Sequence, residues 1–519
     1  MQKVDDRLAA FADFKEILKI QPEHREALFQ LARGASEDRD AESAAHWLVQ
    51  FLDVASDDAR AAEARLDLAT CYEALRDRAR AMETLRRAAA LRPGDPKPLH
   101  RLSDLYLRQG EWKGAVEALR ASEARLYDGA ERAALHLRIG SILRDLGRDA
   151  QGAAVAFRRA AELDPLGEGT RALVALHDAA GDQRGALDTV DHEVADVRRA
   201  LAADPLDVRR LERLGELLEM AGRRGSGAPI AEAAAAVASV LDLVKGEGAP
   251  DAPAGRPHPI APKAARVFWA ELAHPASGGF AGELWPHLAE AAMELFPAPA
   301  VRGKRQAIPP GTQQRLAWIE TSATALGLAG LHIQLTREPD AAAVTALEEP
   351  GPVVLLRADA ENSLATRFQA GRALGLLLQR ATILERVDPD DLAPVFACAA
   401  LIAGVALPAG LPNPSEDLFR TVARAIGRKQ KKALTLQASR FNFEKYDLAA
   451  WHEGVLRTAD RLGLMMAGDV GASALTLVGG GGANEAAASA SDVATNPAAL
   501  DLIRFALGEQ YPSLRKAVA

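Results

Sequence analysis

A pattern of small and large apolar residues returns along the first half of the chain at an interval of about 34 residues. It is clearest in residues 62–93, AEARLDLATCYEALRDRARAMETLRRAAALRP. Leu68, Ala69 and Tyr72 fall on one face of a first helix, Ala81, Leu85 and Ala88 on one face of a second, and Pro93 closes the unit. One interval later stand Leu102, Ser103 and Tyr106, then Ala115, Leu119 and Ser122. The next unit has Ile139, Gly140 and Leu143, then Ala153, Phe157, Ala160 and Pro165, with one inserted residue in its turn. Upstream, Leu31, Ala32, Ala44, Leu48 and Phe51 show the same pattern; downstream, Leu211, Leu214, Gly215, Leu218 and Gly222 give its first half. A fixed period of this length implies stacked helical hairpins, each burying its apolar face only against its neighbours. The small residues let paired helices approach closely, and the closing proline cannot continue a helix.

In these residues the chain resembles the tetratricopeptide repeat (TPR) family over roughly residues 1–245. The resemblance implies an α-solenoid of helix-turn-helix repeats whose first helices line a concave groove that binds a protein or peptide. The groove positions it implies include Lys97, His100, Arg101, Asp104 and Arg108 in one unit, and Arg138, Ser141 and Arg144 in the next. Lys97 and Arg101 occupy two positions that, in chaperone-binding TPRs, help to clamp a C-terminal carboxylate, a task suited to charge-assisted hydrogen bonds. The rest of that clamp is missing, because the preceding first helices carry Phe29, Arg33, Leu66 and Thr70. What remains is a looser basic stripe for an acidic peptide, against the plainer reading of a solvated helix face. Residues 4–22 match only a second helix, which suggests the C-terminal portion of a longer repeat protein. After about residue 167 the pattern decays, DHEVADVRRALAADP runs long, and RRGSGAP separates the helices of the last unit, leaving IAEAAAAVASVLDLV as a cap.

Residues 246–263, GEGAPDAPAGRPHPIAPK, lack apolar periodicity and predict a linker. A second domain is expected over 264–519. Two apolar runs, LHIQL (331–335) and PVVLL (352–356), predict strands. Long helices are expected in SLATRFQAGRALGLLLQRATIL, LAPVFACAALIAGVAL, DLFRTVARAIGRKQKKALTL, the stretch from Tyr446 to Ala467, and AALDLIRFALGEQYPSLRKAVA; residues 478–496 predict a low-complexity loop. The fold class expected is mainly α, a solenoid followed by a helix-rich α+β domain. The block ADRLGLMMAGD … DLIRFALGEQYPSLRK is similar to the C-terminal module attached to large TPR proteins of GC-rich bacteria, a resemblance that brings architecture and no chemistry.

Catalytic motifs fail one by one. His452-Glu453 opens an H-E-x-x-H zinc motif, but the second histidine is replaced by Leu456. The order strand (PVVLL) then helix (RFQAGRALGLLLQ) matches the gluzincin arrangement, yet the helix offers Phe368, Gln369, Ala370, Gly371 and Arg372 where metal ligands would stand. A degenerate, metal-free relative of zinc peptidases is thus the alternative to a non-enzymatic scaffold. The glycines at 479–482 lack the Gly-Lys-Ser/Thr ending of a phosphate loop. Arg428, Lys429, Lys431 and Lys432 form a short basic run of the kind found at a solvated helix end. Cys71 and Cys398 sit in apolar helices, and two cysteines make neither a disulfide framework nor a four-cysteine zinc site.

Composition adds limits. The formal charge of −8, from 63 basic and 71 acidic residues, argues against nucleic acid as a partner. The 50 arginines against 13 lysines, with abundant alanine, match the coding bias of a GC-rich genome. No apolar run reaches the ~18 residues of a membrane span, and MQKVDDRLAAFADFKEILKI lacks a signal-peptide core. The expectation is a cytoplasmic protein with a protein or peptide partner, no membrane insertion and no cofactor.

Overall fold

The structure is a computed structural model that describes residues 2–518 apart from 56–58, 225–227, 248–258, 299–307, 309, 339–340, 349–350, 361, 408–409, 439–446 and 480–487. Most of the expected linker and of the glycine run therefore lie outside the described residues. The chain divides into two compact units, residues 1–193 and 194–519.

The first unit is an α-solenoid. Helix α1 (Gln2–Ile20) precedes the hairpins α2–α3 (Arg25–Glu37, Ala41–Val54), α4–α5 (Ala59–Ala74, Arg78–Leu91), α6–α7 (Lys97–Arg108, Trp112–Glu123) and α8–α9 (Gly129–Ile142, Ala150–Leu163). Then come α10 (Gly169–Ala179) and α11 (Gln183–Ala203), the latter crossing the boundary between the units. From α1 to α10 each helix packs on the next one in sequence. The repeat positions form the core: Ala69, Ala81, Leu85, Ala115, Leu119, Ser122, Ala153 and Phe157 are fully buried, and Ala88 and Ala160 nearly so. At Gly140 a Cβ would stand 2.5 Å from the Phe157 ring, so the small residue there is a packing requirement.

A second regularity sits in the turns. Each second helix is preceded by an acidic residue, and that residue by a left-handed one: Arg39-Asp40, Arg76-Asp77, Gly110-Glu111, Arg148-Asp149 and Gly181-Asp182. The aspartates cap their helices. Asp40, Asp77, Asp149 and Asp182 accept from the backbone N–H three residues on, at 2.8–3.1 Å. The three arginines hold φ of 49–61°, a conformation that costs a non-glycine residue about 1–2 kcal/mol. The residue inserted in the fourth hairpin is absorbed as a π-helical turn, Leu143–Gly147, the usual accommodation of one extra residue in a helix.

The second unit begins with the hairpin α12 (Val208–Gly222) and α13 (Ala228–Lys245), followed by α14 (Ala265–Leu272), α15 (Gly279–Leu295) and α16 (Pro310–Ala325). Three strands follow: β1 (His332–Thr336), β2 (Val344–Glu348) and β3 (Pro352–Arg357). The remaining helices are α17 (Leu364–Leu378), α18 (Pro389–Ile402), α19 (Glu416–Ala425), α20 (Arg428–Ala438), α21 (Leu448–Ala467), α22 (Val470–Val478), α23 (Ala490–Thr495), α24 (Pro497–Leu507) and α25 (Gln510–Val518). The sheet order is β1-β3-β2, with β3 parallel to β1 and antiparallel to β2. Central β3 carries the apolar run PVVLL, and its Val353–Leu356 are buried.

Several elements differ from the sequence expectation. Strand β2 is additional; its VTALE has a small apolar face and lies in an alanine-rich stretch that gives no strand signal. The stretch 478–496 is not all loop, because α23 forms where Ser489 and Asp492 make a reciprocal capping box and Val493 is fully buried. The single helix expected over 498–519 is two, parted at Gly508, and that over 417–436 is also two, parted at Ile426-Gly427. The compact division falls at 193/194, so α12 and α13, expected to end a solenoid over 1–245, share a unit with the C-terminal helices. Helix α13 packs on α22, α24 and α25. Ser239 donates to Asp469 at 2.9 Å and accepts from the Gly471 N–H at 2.8 Å. The cause lies in α13 itself: IAEAAAAVASVLDLV is apolar around most of its circumference and needs cover on more than one side.

The tightest helix pair is α17 on α21. A Cβ at Gly375 would lie 2.7 Å from the Ala459 Cα, and one at Gly371 would lie 2.8 Å from the Leu462 carbonyl oxygen. Trp285, Phe396 and Trp451 cluster beneath, with ring centroids 5.2–6.2 Å apart. Because backbone opposes Gly375, Gly375→Ala is expected to cost about 1–3 kcal/mol, seen as a lower urea midpoint for the second unit. A second expectation concerns Tyr511 on α25, buried at 2% exposure against α24 through Phe505. Burial pushes its phenol up to about 12, whereas the unfolded phenol ionises near pH 10. The folded state thus holds the proton longer. The contribution is complete below about pH 10 and falls by about 1.4 kcal/mol per pH unit as pH rises toward 12. Urea midpoints between pH 9 and 11.5 should fall less steeply in Tyr511→Phe than in the parent.

Candidate functional site

The arginines of the expected basic stripe are braced across repeats. Arg101 on α6 donates to the Leu66 carbonyl at 2.9 Å, to Thr70 Oγ1 at 3.0 Å and to Glu73 Oε1 at 2.6 Å, all on α4. Arg108 reaches the other oxygen of Glu73 at 3.1 Å. Arg138 on α8 pairs with Asp104 on α6. The same device recurs upstream, where Arg60 on α4 pairs with Glu26 on α2 at 2.9 Å and lies 4.2 Å from the Phe29 ring centroid. Each arginine therefore meets an acid 28–35 residues earlier, on the first helix of the preceding repeat.

The structure thus joins Arg101 and Arg108 through Glu73, and Asp104 with Arg138. It does not bring all the expected groove residues together. Arg144 stays in the π-helical turn, bonded to Asp145 at 2.7 Å and lying over the Phe157 ring. His100 bonds Ser122 Oγ at 3.1 Å. Burial and the nearby Arg138 charge hold its imidazole below the usual histidine range, so at neutral pH it adds no charge. Lys97 is exposed; its backbone N–H donates to Asp95. Glu73, Glu26 and Thr70 complete the arrangement and were not among the expected residues. Their signal in the sequence is an acid about one repeat upstream of each arginine.

In the second unit, Phe368, Gln369 and Arg372, the residues weighed against a zinc motif, line a cleft of about 300 Å³ with the β2 edge and Leu477 of α22. Arg372 donates through Nε to Asp460 Oδ1 at 2.6 Å and through Nη1 to Glu385. Asp460 is buried; burial pushes its carboxyl up while the Arg372 charge pulls it back, and the upward effect wins. The guanidinium joins α17, α21 and the 3-10 turn Thr382–Glu385, an inter-helix brace rather than a metal ligand. His452 is a satisfied core histidine, its Nε2 3.1 Å from the Val387 carbonyl, and Glu453 pairs with Arg457 at 2.7 Å. Among the described residues no three His, Cys, Asp or Glu side chains converge as metal ligands would. Cys71 and Cys398 are buried, and burial pushes the Cys398 thiol up to about 11.

Stacked hairpins with these repeat positions define a helical-repeat protein. Residues 62–95 match the tetratricopeptide repeat family, and the chain carries tetratricopeptide repeats. No curated protein matches it. Among solved structures it is similar to MamA from Desulfovibrio magneticus RS-1, at 18% identity over 33% of this chain and 92% of that one, TM-score 0.25. It is similar to YrrB, described as a TPR protein with an unusual peptide-binding site, at 15% identity over 38% and 96%, TM-score 0.27. It is also similar to BtubC from P. vanneervenii, at 15% identity over 37% and 88%, TM-score 0.27. No helix among the described residues is long and apolar enough to cross a membrane.

The buried brace gives a direct expectation. Asp460→Ala leaves the Arg372 guanidinium short of its buried partner and should cost about 3–5 kcal/mol, whereas Arg372→Met combined with Asp460→Leu should recover most of that loss. Equilibrium unfolding of the three proteins tests this; equal losses in the single and double variants would contradict it.

Proposed function

We propose that the chain is a non-enzymatic interaction scaffold whose repeat unit binds a partner protein or peptide across its first helices, while the second unit offers a separate folded surface. The observation that carries the reading is the cross-repeat bracing. The guanidiniums of Arg101, Arg108 and Arg138 are held in fixed positions yet stay partly open, with side-chain exposures of 31%, 61% and 38%. Planar cations held this way present their remaining N–H groups at low entropic cost.

The bracing also refines the partner. Glu73 and Asp104 already occupy the arginines, so an acidic peptide must compete with carboxylates of the chain itself. A segment of mixed charge, laying acids on Lys97 and Arg108 and donors on Glu73, fits better than a purely acidic tail. Arg101 is a structural brace and a poor site for a binding test, whereas Lys97 and Arg108 are open.

The test is affinity purification from the source organism with the full chain, comparing the parent with Lys97→Glu plus Arg108→Glu. Loss of a specific partner, at unchanged melting temperature, is expected; an unchanged partner set removes these residues from the site. Neutralising the internal competitors with Glu73→Gln plus Asp104→Asn should tighten binding of an acidic partner about tenfold and leave a mixed-charge partner unchanged or weakened.

A further inference from the structure

A second cavity in the C-terminal unit is unrelated to the repeat face. Strands β1 and β3 run parallel, and their carboxyl ends open into a space of about 350 Å³. Leu335 and Leu356 form its floor, and Leu316, Trp318 and Ile319 of α16 form an apolar wall. The side chains of Trp318 and Ile319 are buried at 8% and 0% exposure, so this wall is fixed by the core behind it. Ala358, Asp359, Ala360 and Asn362, on the way into α17, form the rim. That rim is pinned by Ala358 N–H donating to the Thr336 carbonyl at 2.7 Å and Ala360 N–H to the Arg357 carbonyl at 2.9 Å.

The charge around the cavity is unequal. Arg315 and Arg357 both line it, and Asp359 is the one carboxylate among the described lining residues. Asp359 is committed to Arg357, whose Nε donates to it at 2.6 Å while Nη1 donates to the Ala341 carbonyl. Arg315 has no carboxylate partner among the described residues; its guanidinium makes only a long 3.3 Å bond to Thr312 of its own helix. The first turn of α17, which reaches the cavity at Thr366, carries no acidic residue to offset its positive end. A chamber with an apolar floor and wall, a polar rim and, among the described lining residues, one cation without a carboxylate partner is complementary to a ligand with an apolar body and one negative group. Ligands of open sheets commonly sit beyond the carboxyl ends of parallel strands, and the volume lies at the lower end of small-molecule sites.

We propose that this cavity binds a small organic carboxylate of about ten heavy atoms in all, with its apolar body against Trp318 and Leu335 and its carboxylate on Arg315. This site is independent of the repeat face, so the two readings fail separately. The experiment is calorimetric titration of the full chain with octanoate, octylamine, octanol and inorganic phosphate, repeated on Arg315→Glu and Ala360→Trp. Arg315 is exposed and bears no core contact, so the Arg315→Glu protein should keep its melting temperature; Arg315→Gln serves as the alternative variant if it does not. Octanoate should bind at least about tenfold more tightly than the other three and lose about tenfold in affinity in the Arg315 variant. It should lose binding altogether in Ala360→Trp, where the introduced indole fills the rim. Equal binding of octylamine or octanol overturns the charge assignment. Equal binding of phosphate overturns the apolar half. No octanoate binding, or binding unchanged by both substitutions, overturns the site.

Discussion

Close approach of helices, permitted by small residues at fixed positions, is the constraint on which both units depend. In the first unit it is Ala81, Ala115 and Ala153, all fully buried, together with Gly140 against Phe157. In the second it is Gly371 and Gly375 of α17 against Gly463 and Ala459 of α21. Backbones brought this near leave little room for apolar side chains between them, so the long residues are pushed to the periphery. There they serve as braces: Arg101 to Glu73 across the repeats, Arg372 to Asp460 and Glu385 across α17 and α21. An arginine-rich, alanine-rich composition, whatever its origin in the coding bias, supplies both halves of this arrangement.

The bracing changes the meaning of the repeat face. Counted along the sequence, Lys97, Arg101, Arg108 and Arg138 make a basic stripe. In the fold two acids, Glu73 and Asp104, stand within it and accept hydrogen bonds from three of the four cations. Exposed ion pairs of this kind contribute little stability singly. Their effect is to fix side-chain positions along a surface, which suits recognition of a polypeptide more than capture of a single anion.

Much of the first unit was legible because its signal is repetition. The positions from Leu31 to Ala160 that share the 34-residue spacing are, apart from the half-buried Tyr106, ones the fold buries, and the one inserted residue in the fourth turn became a π-helical turn. The cross-repeat partners were also present in the sequence, as acids one period upstream of each arginine, but a search for groove cations alone passes over them. The second unit was less legible. PVVLL and LHIQL announced themselves as strands, whereas VTALE did not, because its neighbours are alanines and its own apolar face is small. The helix breaks fall at Gly427 and Gly508, a local stop signal that the apolar periodicity on either side masked.

The sequence by itself determined that the chain stacks helical hairpins, where their small residues must lie, and that neither residues 368–372 nor 452–456 spell a complete H-E-x-x-H zinc motif. These follow from local periodicity and from side-chain identity. Only the tertiary structure decided that α12 and α13 share a compact unit with the C-terminal helices, that the stripe is neutralised from within, and that Arg315 lines a cavity with an apolar wall at the ends of β1 and β3. Each of these joins residues far apart in the chain, as in Ser239 with Asp469 or Arg315 with Leu356. Such pairings are set by how whole surfaces fit, a property that no short stretch of sequence contains.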